Sequence, residues 1–214
     1  MSTAARRAQL LRCAVEASAD VGISRVGHVD VAERAQVSVP TVFAYFPTRH
    51  VLVREILKDV RRFYLGLLKS VPREGPASDV AFALFWECTR RARTDPHYIR
   101  VWLDWSTAIR DETWPQYLKL WTEATEIVEA VLERGQREGD IDRALDTRMA
   151  TRILLGGAHT ISVMIYSGLD DKELEALVRH LVNGALHAAP PAGTSVRRGA
   201  ARPAPIAGSS IATR

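Results

Sequence analysis

Apolar residues recur every three or four positions along most of this chain, and strict alternation does not persist over any useful length. The pattern predicts helices throughout and an all-α protein. The clearest stripe is Trp114, Tyr117, Leu118, Trp121, Val128, Val131 and Leu132, on a helix opened by Asp111 and Glu112, with Pro115 in its first turn and an end near Gly135 to Gly139. A last helix follows Asp170 and Asp171, with the stripe Leu174, Leu177, Val178, Leu181, Val182, Ala185 and Leu186. Between these two, residues 146–167 are apolar on nearly every face from Met149 onward. Such a helix needs cover on several sides, and a second copy of the chain is expected to supply part of it.

The first sixty residues carry a different signature. Residues 8–22 read as a helix, with Leu11, Val15 and Val21 inward beside Ala14 and Ala19 and Gly22 as its stop. Residues 29–35 form a helix of only about two turns. The segment Gln36, Val37, Ser38 interrupts the pattern, and a further short helix begins near Val39 with Pro40 in its first turn and Ser38 as N-cap. Two short helices joined by a three-residue turn make a helix-turn-helix. Ala32 and Ala35 permit a close crossing, while Val31, Val42, Phe43 and Phe46 are expected to fill the space beneath.

Composition and charge narrow the picture. At 214 residues and 47% hydrophobic content, the chain has a sizeable core to bury. Residues 1–62 carry 10 Lys/Arg against 6 Asp/Glu, residues 63–187 carry 15 against 19, and residues 188–214 carry 4 against 0. A basic head beside an acidic body implies that the head meets a polyanion. Residues 188–214, rich in Pro, Gly, Ala, Ser and Arg, are expected to be a disordered basic tail. Cys13 and Cys88 form no CxxC or Cys/His cluster, which fits buried thiols in a reducing compartment and no metal site. The closest approach to a membrane span, residues 153–169, is broken by Gly156, Gly157, His159 and Ser162. The N-terminus lacks a long apolar signal region, so a cytoplasmic protein with no membrane partner is expected.

Val31-Ala32, the string Ala35 to Ser38, Thr41 to Phe43, Tyr45 to Arg49 and Leu52 together resemble the DNA-binding domain of TetR-type bacterial transcriptional regulators. Gly27-His28 with Asp30, the string Gln36 to Phe46, and Val101 to Ser106 with Arg110 to Glu112 and Trp114-Pro115 are similar to the LuxR/HapR/SmcR group of quorum-sensing master regulators of vibrios. The resemblance implies an N-terminal three-helix helix-turn-helix domain over 1–48, a linking helix over 49–70, and a helical ligand-binding and dimerisation domain over 71–187. It further implies a bacterial homodimer on double-stranded DNA with a roughly palindromic operator, and a small-molecule effector. The chain departs from these relatives at Pro40, Ala44, Trp121 and Ala124 and in its short basic N-terminus.

The exposed recognition face then offers Val39, Pro40, Thr41, Ala44 and Tyr45. With no Arg, Lys, Asn or Gln there, base reading rests on Thr41 and on apolar contact with thymine methyls. His28, Ser38, Tyr45, Thr48 and Arg49 are expected to clamp phosphates, with Thr48 capping the linking helix, and Arg6 and Arg7 to reach the minor groove. His28 as a local cap, Tyr45 as packing and Arg6 and Arg7 as free terminal arginines are the structural alternatives.

In the body, Phe82, Phe85, Trp86, Val101, Trp102, Trp105, Trp114, Tyr117, Leu118, Trp121, Ile153 and His159 are the expected lining of a cavity for a small hydrophobic or aromatic ligand. The competing reading is a solid aromatic core in an orphan or architectural DNA-binding dimer. Ile161, Ile165, Leu174, Leu177 and Leu181 are the expected dimer interface. No nucleophile elbow, P-loop or metal motif appears, so neither catalysis nor a cofactor is expected.

Overall fold

A computed structural model describes residues 2–187; the tail expected over 188–214 lies outside the described residues. Helix α1 spans Thr3–Val21 and starts five residues before the expected residue 8, because the Ser2 hydroxyl accepts from the Ala5 N–H at 3.2 Å. It ends at Gly22, whose φ of 88° suits glycine. Helix α2, His28–Ala35, is opened by Asp30, whose carboxylate accepts from the Gly27 N–H at 2.7 Å. The turn that follows places Gln36 in the left-handed region, so that the Val37 N–H reaches back to the Ala32 carbonyl at 3.0 Å. Helix α3 is Val39–Tyr45 and helix α4 is Arg49–Ser70.

The body comprises α5 (Ala77–Thr94), α6 (Pro96–Thr107), α7 (Trp114–Glu138), α8 (Thr147–Met164), a short 3-10 turn over Ile165–Ser167, and α9 (Asp171–Leu186). The described residues hold no strand. Helix α9 opens on a reciprocal cap between Asp170 and Glu173. Gly157 lets α8 and α9 close together: a Cβ there would collide with the Leu181 side chain. Gly135 does the same for α7, against Ala77 and Ile141.

Two apolar clusters form the core. One joins the head residues Leu10, Val15, Val31, Val42, Phe46 and Leu52 to Val101, Trp102, Trp105, Tyr117 and Leu120 of the body. The other lies within the body around Leu84, Phe85, Val128, Leu132, Leu154, Leu174 and Val178. Trp121 and Ile127 pack against both. The head is thus welded to α6 and α7 by shared core.

Several expected positions are corrected. Phe43 is 47% exposed rather than buried, because Val42 and Phe46 already occupy the inward face of a helix barely two turns long. Leu118 is also exposed, and Leu120 takes its place in the core. Ile161 and Leu174 are buried inside one chain, and Ile165, Leu177 and Leu181 pack against the same body core. Helix α9 packs on α5 and α8 of its own chain, and Ile165, Leu177 and Leu181 stay half-buried there.

Candidate nucleic-acid interface and body cavity

Helix α3 presents Pro40 and Ala44 outward, with Val39, Thr41 and Tyr45 half-buried beside them. Ser38 sits at the N-cap position, but its hydroxyl lies 2.8 Å from the Thr41 hydroxyl instead of capping the backbone. Thr48 caps α4 through its hydroxyl, which accepts from the Val51 N–H at 3.1 Å.

Four of the residues expected at phosphates or in the groove have local partners. His28 is buried: its Nε2 lies 2.6 Å from the Phe46 carbonyl oxygen, and its ring stacks on Phe43 at 3.8 Å between centroids. That ring ties the start of α2 to the end of α3 and does not face an open groove. The Arg49 guanidinium donates to the carbonyls of Val26, Ile23 and Ser24 at 2.9, 3.0 and 2.5 Å, bracing the loop between α1 and α2. Arg6 and Arg7 lie within α1 and form no arm; Arg7 pairs with Glu55 at 2.6 Å and Arg6 bonds Gln9. The early start of α1, set by Ser2, is the physical reason.

The exposed Phe43, missed as a surface residue, stacks on His28, and Val29, next to His28 in the chain, is 55% exposed. The signal was available: Phe43 is one helical step, about 100°, from Val42.

The body holds an apolar cavity of about 60 Å³ where the two core clusters meet, lined by Tyr64, Leu68, Phe85, Cys88, Trp102, Tyr117, Leu120, Trp121, Ala124, Leu155, Ala158 and Ser162. Of the residues expected to line it, Phe85, Trp102, Tyr117 and Trp121 do so. Phe82 stacks on Trp86 away from it, under Arg179 of α9. Val101 and Trp105 are fully buried in the cluster shared with the head, Trp114 stacks on Tyr117, and Leu118 and Ile153 point to solvent. His159 stands beside the lining residue Trp102, at 5.1 Å between rings, and is engaged with Ser106. Because Ser106 donates to the Leu103 carbonyl, His159 Nε2–H donates to Ser106 at 2.8 Å. Burial lowers the His159 pKa. Burial also pushes the Cys88 thiol and the Tyr117 phenol up to about 12, and raises Tyr64 well above its ordinary value. The three stay protonated and neutral. Sequence reasoning missed Tyr64 and Leu68, which lie on the linking helix, outside the aromatic run that drew attention.

Residues 10–56 match the family described as bacterial regulatory proteins, tetR family. The chain is 40% identical over 107 residues to the HTH-type transcriptional regulator LuxR of Vibrio harveyi, a stretch that spans about half of each protein, 50% of this chain and 52% of LuxR. Among solved structures it is similar to the transcriptional regulator FadR of Bacillus subtilis in complex with stearoyl-CoA, with a TM-score of 0.69 at 19% identity, covering 84% of this chain and 97% of that one. A TetR-like transcriptional regulator from Rhodococcus sp. RHA1 gives a TM-score of 0.73 at 14% identity over 88% and 100% of the two chains.

Proposed function

We infer, from a chain that is of the TetR type in its head and in its all-helical fold, a homodimeric, sequence-specific transcriptional regulator whose grip on DNA is set by a small molecule in the body. One observation carries this reading: the cavity lies between the core shared with the head and the core of the body. Trp102 of α6 lines the cavity, while Asp104, two residues on, accepts from the Ile23 N–H of the head at 2.7 Å. A ligand that widens the cavity would favour a conformer in which α6 carries the α1–α2 loop, and so the recognition helix, to a different place. Affinity for DNA then changes by the ligand's differential affinity for the two conformers.

In this reading the dimer forms through the outer face of α8. Met149, Ile153, Gly156, Thr160 and Val163 follow one another at helical spacing and are all exposed. Together with the exposed Ala176, His180 and Asn183 of α9 they can pack against the same face of a second copy. Each head then enters a major groove through α3, with Thr41, Pro40 and Ala44 toward the bases, and the two-fold axis calls for a roughly palindromic operator. A place in cytoplasmic, population-dependent gene control follows the resemblance to the vibrio regulators.

The tightness of the cavity favours a second reading, an orphan dimer without effector. Anisotropy titrations of labelled operator and random duplexes, with and without hydrophobic extract of the native cells, separate the two. A regulator with an effector changes its operator affinity on adding extract; an orphan dimer does not.

A further inference from the structure

One residue of the cavity lining carries a polar group with no partner among the described residues. Tyr64 lines the cavity, its ring 5.1 Å from that of Trp102, and its hydroxyl is buried with no hydrogen bond among the described residues. Two hydroxyls nearby are satisfied, Thr89 donating to the Phe85 carbonyl at 2.8 Å and Ser162 to the Ala158 carbonyl at 2.9 Å, whereas the buried Thr113 and Thr151 hydroxyls, which do not line the cavity, also have no partner among the described residues. An enclosed hydroxyl without a partner is costly and is a donor ready for an incoming acceptor. The lining carries no Lys, Arg, His, Asp or Glu. An anion entering it would lose water and meet no counter-charge.

We propose that the cavity takes an uncharged, mostly apolar molecule, compact or flat, carrying a carbonyl-type oxygen that accepts a hydrogen bond from the Tyr64 hydroxyl. This deepens and rests on the reading of the body as an effector site. It sets the chain apart from its structural neighbour: the acyl-CoA bound by Bacillus subtilis FadR has a long chain and several phosphates. A lining without a cationic side chain offers those phosphates no counter-charge. The lining includes the half-buried Trp121 and Ser162, through which a longer ligand can leave its far end outside.

Three probes of similar size separate the contributions: cyclopentanone, methylenecyclopentane, which replaces the oxygen by CH2, and the cyclobutanecarboxylate anion. Each is titrated at neutral pH into the full-length protein and into Tyr64→Phe, following the tryptophan indole N–H signals by NMR. Cyclopentanone is expected to bind the wild type about tenfold more tightly than it binds Tyr64→Phe, the magnitude of one hydrogen bond to a buried donor. Methylenecyclopentane should bind both proteins alike, and the carboxylate should bind the wild type at least about tenfold more weakly than the ketone, since it must shed its water. Tyr64→Phe, which only removes an unpaired hydroxyl, should melt at or above the wild type. The proposal is overturned if cyclopentanone does not bind the wild type, if it binds Tyr64→Phe as well, if the carboxylate binds as tightly as the ketone, or if Tyr64→Phe melts below the wild type. No DNA is present in these measurements, so a failure of DNA control leaves their outcome standing, and their failure leaves the DNA-binding dimer intact.

Discussion

The Asp104 carboxylate of α6 accepts a hydrogen bond from the backbone N–H of Ile23 at 2.7 Å, and two residues before it Trp102 lines the cavity. Residues two apart on a helix lie about 200° apart around its axis. One turn of α6 therefore touches the cavity on one side and the α1–α2 loop of the head on the other. Asp104→Ala is expected to free the Ile23 amide, raising its hydrogen exchange, and to lower stability by about 1 kcal/mol. Asp104→Asn, which keeps an acceptor oxygen, should retain most of the protection. Unchanged exchange at Ile23 in Asp104→Ala would show that the tie does not hold the loop.

Arg49 makes three hydrogen bonds to carbonyls of the α1–α2 loop. Arg49→Ala should accordingly lower the stability of the DNA-free protein by about 2 kcal/mol, as expected for loss of charged hydrogen bonds at a partly exposed site. An arginine reserved for phosphate would leave DNA-free stability unchanged and reduce only the salt dependence of binding. Thermal unfolding without DNA decides between them.

Ile153 is 46% exposed on the α8 face assigned to the dimer, whereas Leu181 packs on Gly157 within one chain. Ile153→Glu should leave the protomer folded and yield monomers in sedimentation, because a charge at an apolar interface loses its water without a partner. Leu181→Glu should instead unfold the body. A dimeric Ile153→Glu places the interface on another face.

His159 gives a pH dependence whose sign follows from burial. Its pKa in the folded protein is lowered below the ordinary 6.5. As pH falls through about 6.5, the unfolded chain takes up a proton that folded His159 resists, so stability decreases down to the folded pKa and then levels off. Above about 6.5 both states are neutral and the contribution is fully present. The loss of melting temperature between pH 7.5 and 5.5 should be smaller in His159→Gln than in the wild type. An equal loss in both would mean that His159 charges freely in the fold.

The helix-turn-helix was legible because its signals are local: Pro40 opens α3, Thr48 caps α4, and Gly22 stops α1. The long α7 was legible for the same reason, from Pro115 at its start to Gly139 at its end. What the sequence hid depends on neighbours distant in the chain. The outward turn of Phe43 was legible from its one-step offset from Val42, but its stacking on His28, fifteen residues earlier, was not. The packing of the apolar α9 stripe on α5 likewise joins helices that are remote in the chain. Arg49 and His28 looked free for phosphate because their carbonyl partners lie 18 to 26 residues away. In the cavity the aromatic cluster marked the right helices, but Tyr64 belongs to a linking helix whose inner face only packing reveals.

The central claim, a two-fold symmetric pair of heads reading DNA through α3, is tested most directly by selecting bound duplexes from a random pool with the full-length protein and sequencing them. The account predicts enrichment of an inverted repeat whose half-sites are centred about 34 to 36 Å apart, one turn of DNA, or a multiple of that spacing. The repeat should lose its enrichment with Ile153→Glu and lose its sequence preference with Thr41→Ala. Enrichment of a single asymmetric site, or of no sequence over the starting pool, would contradict it.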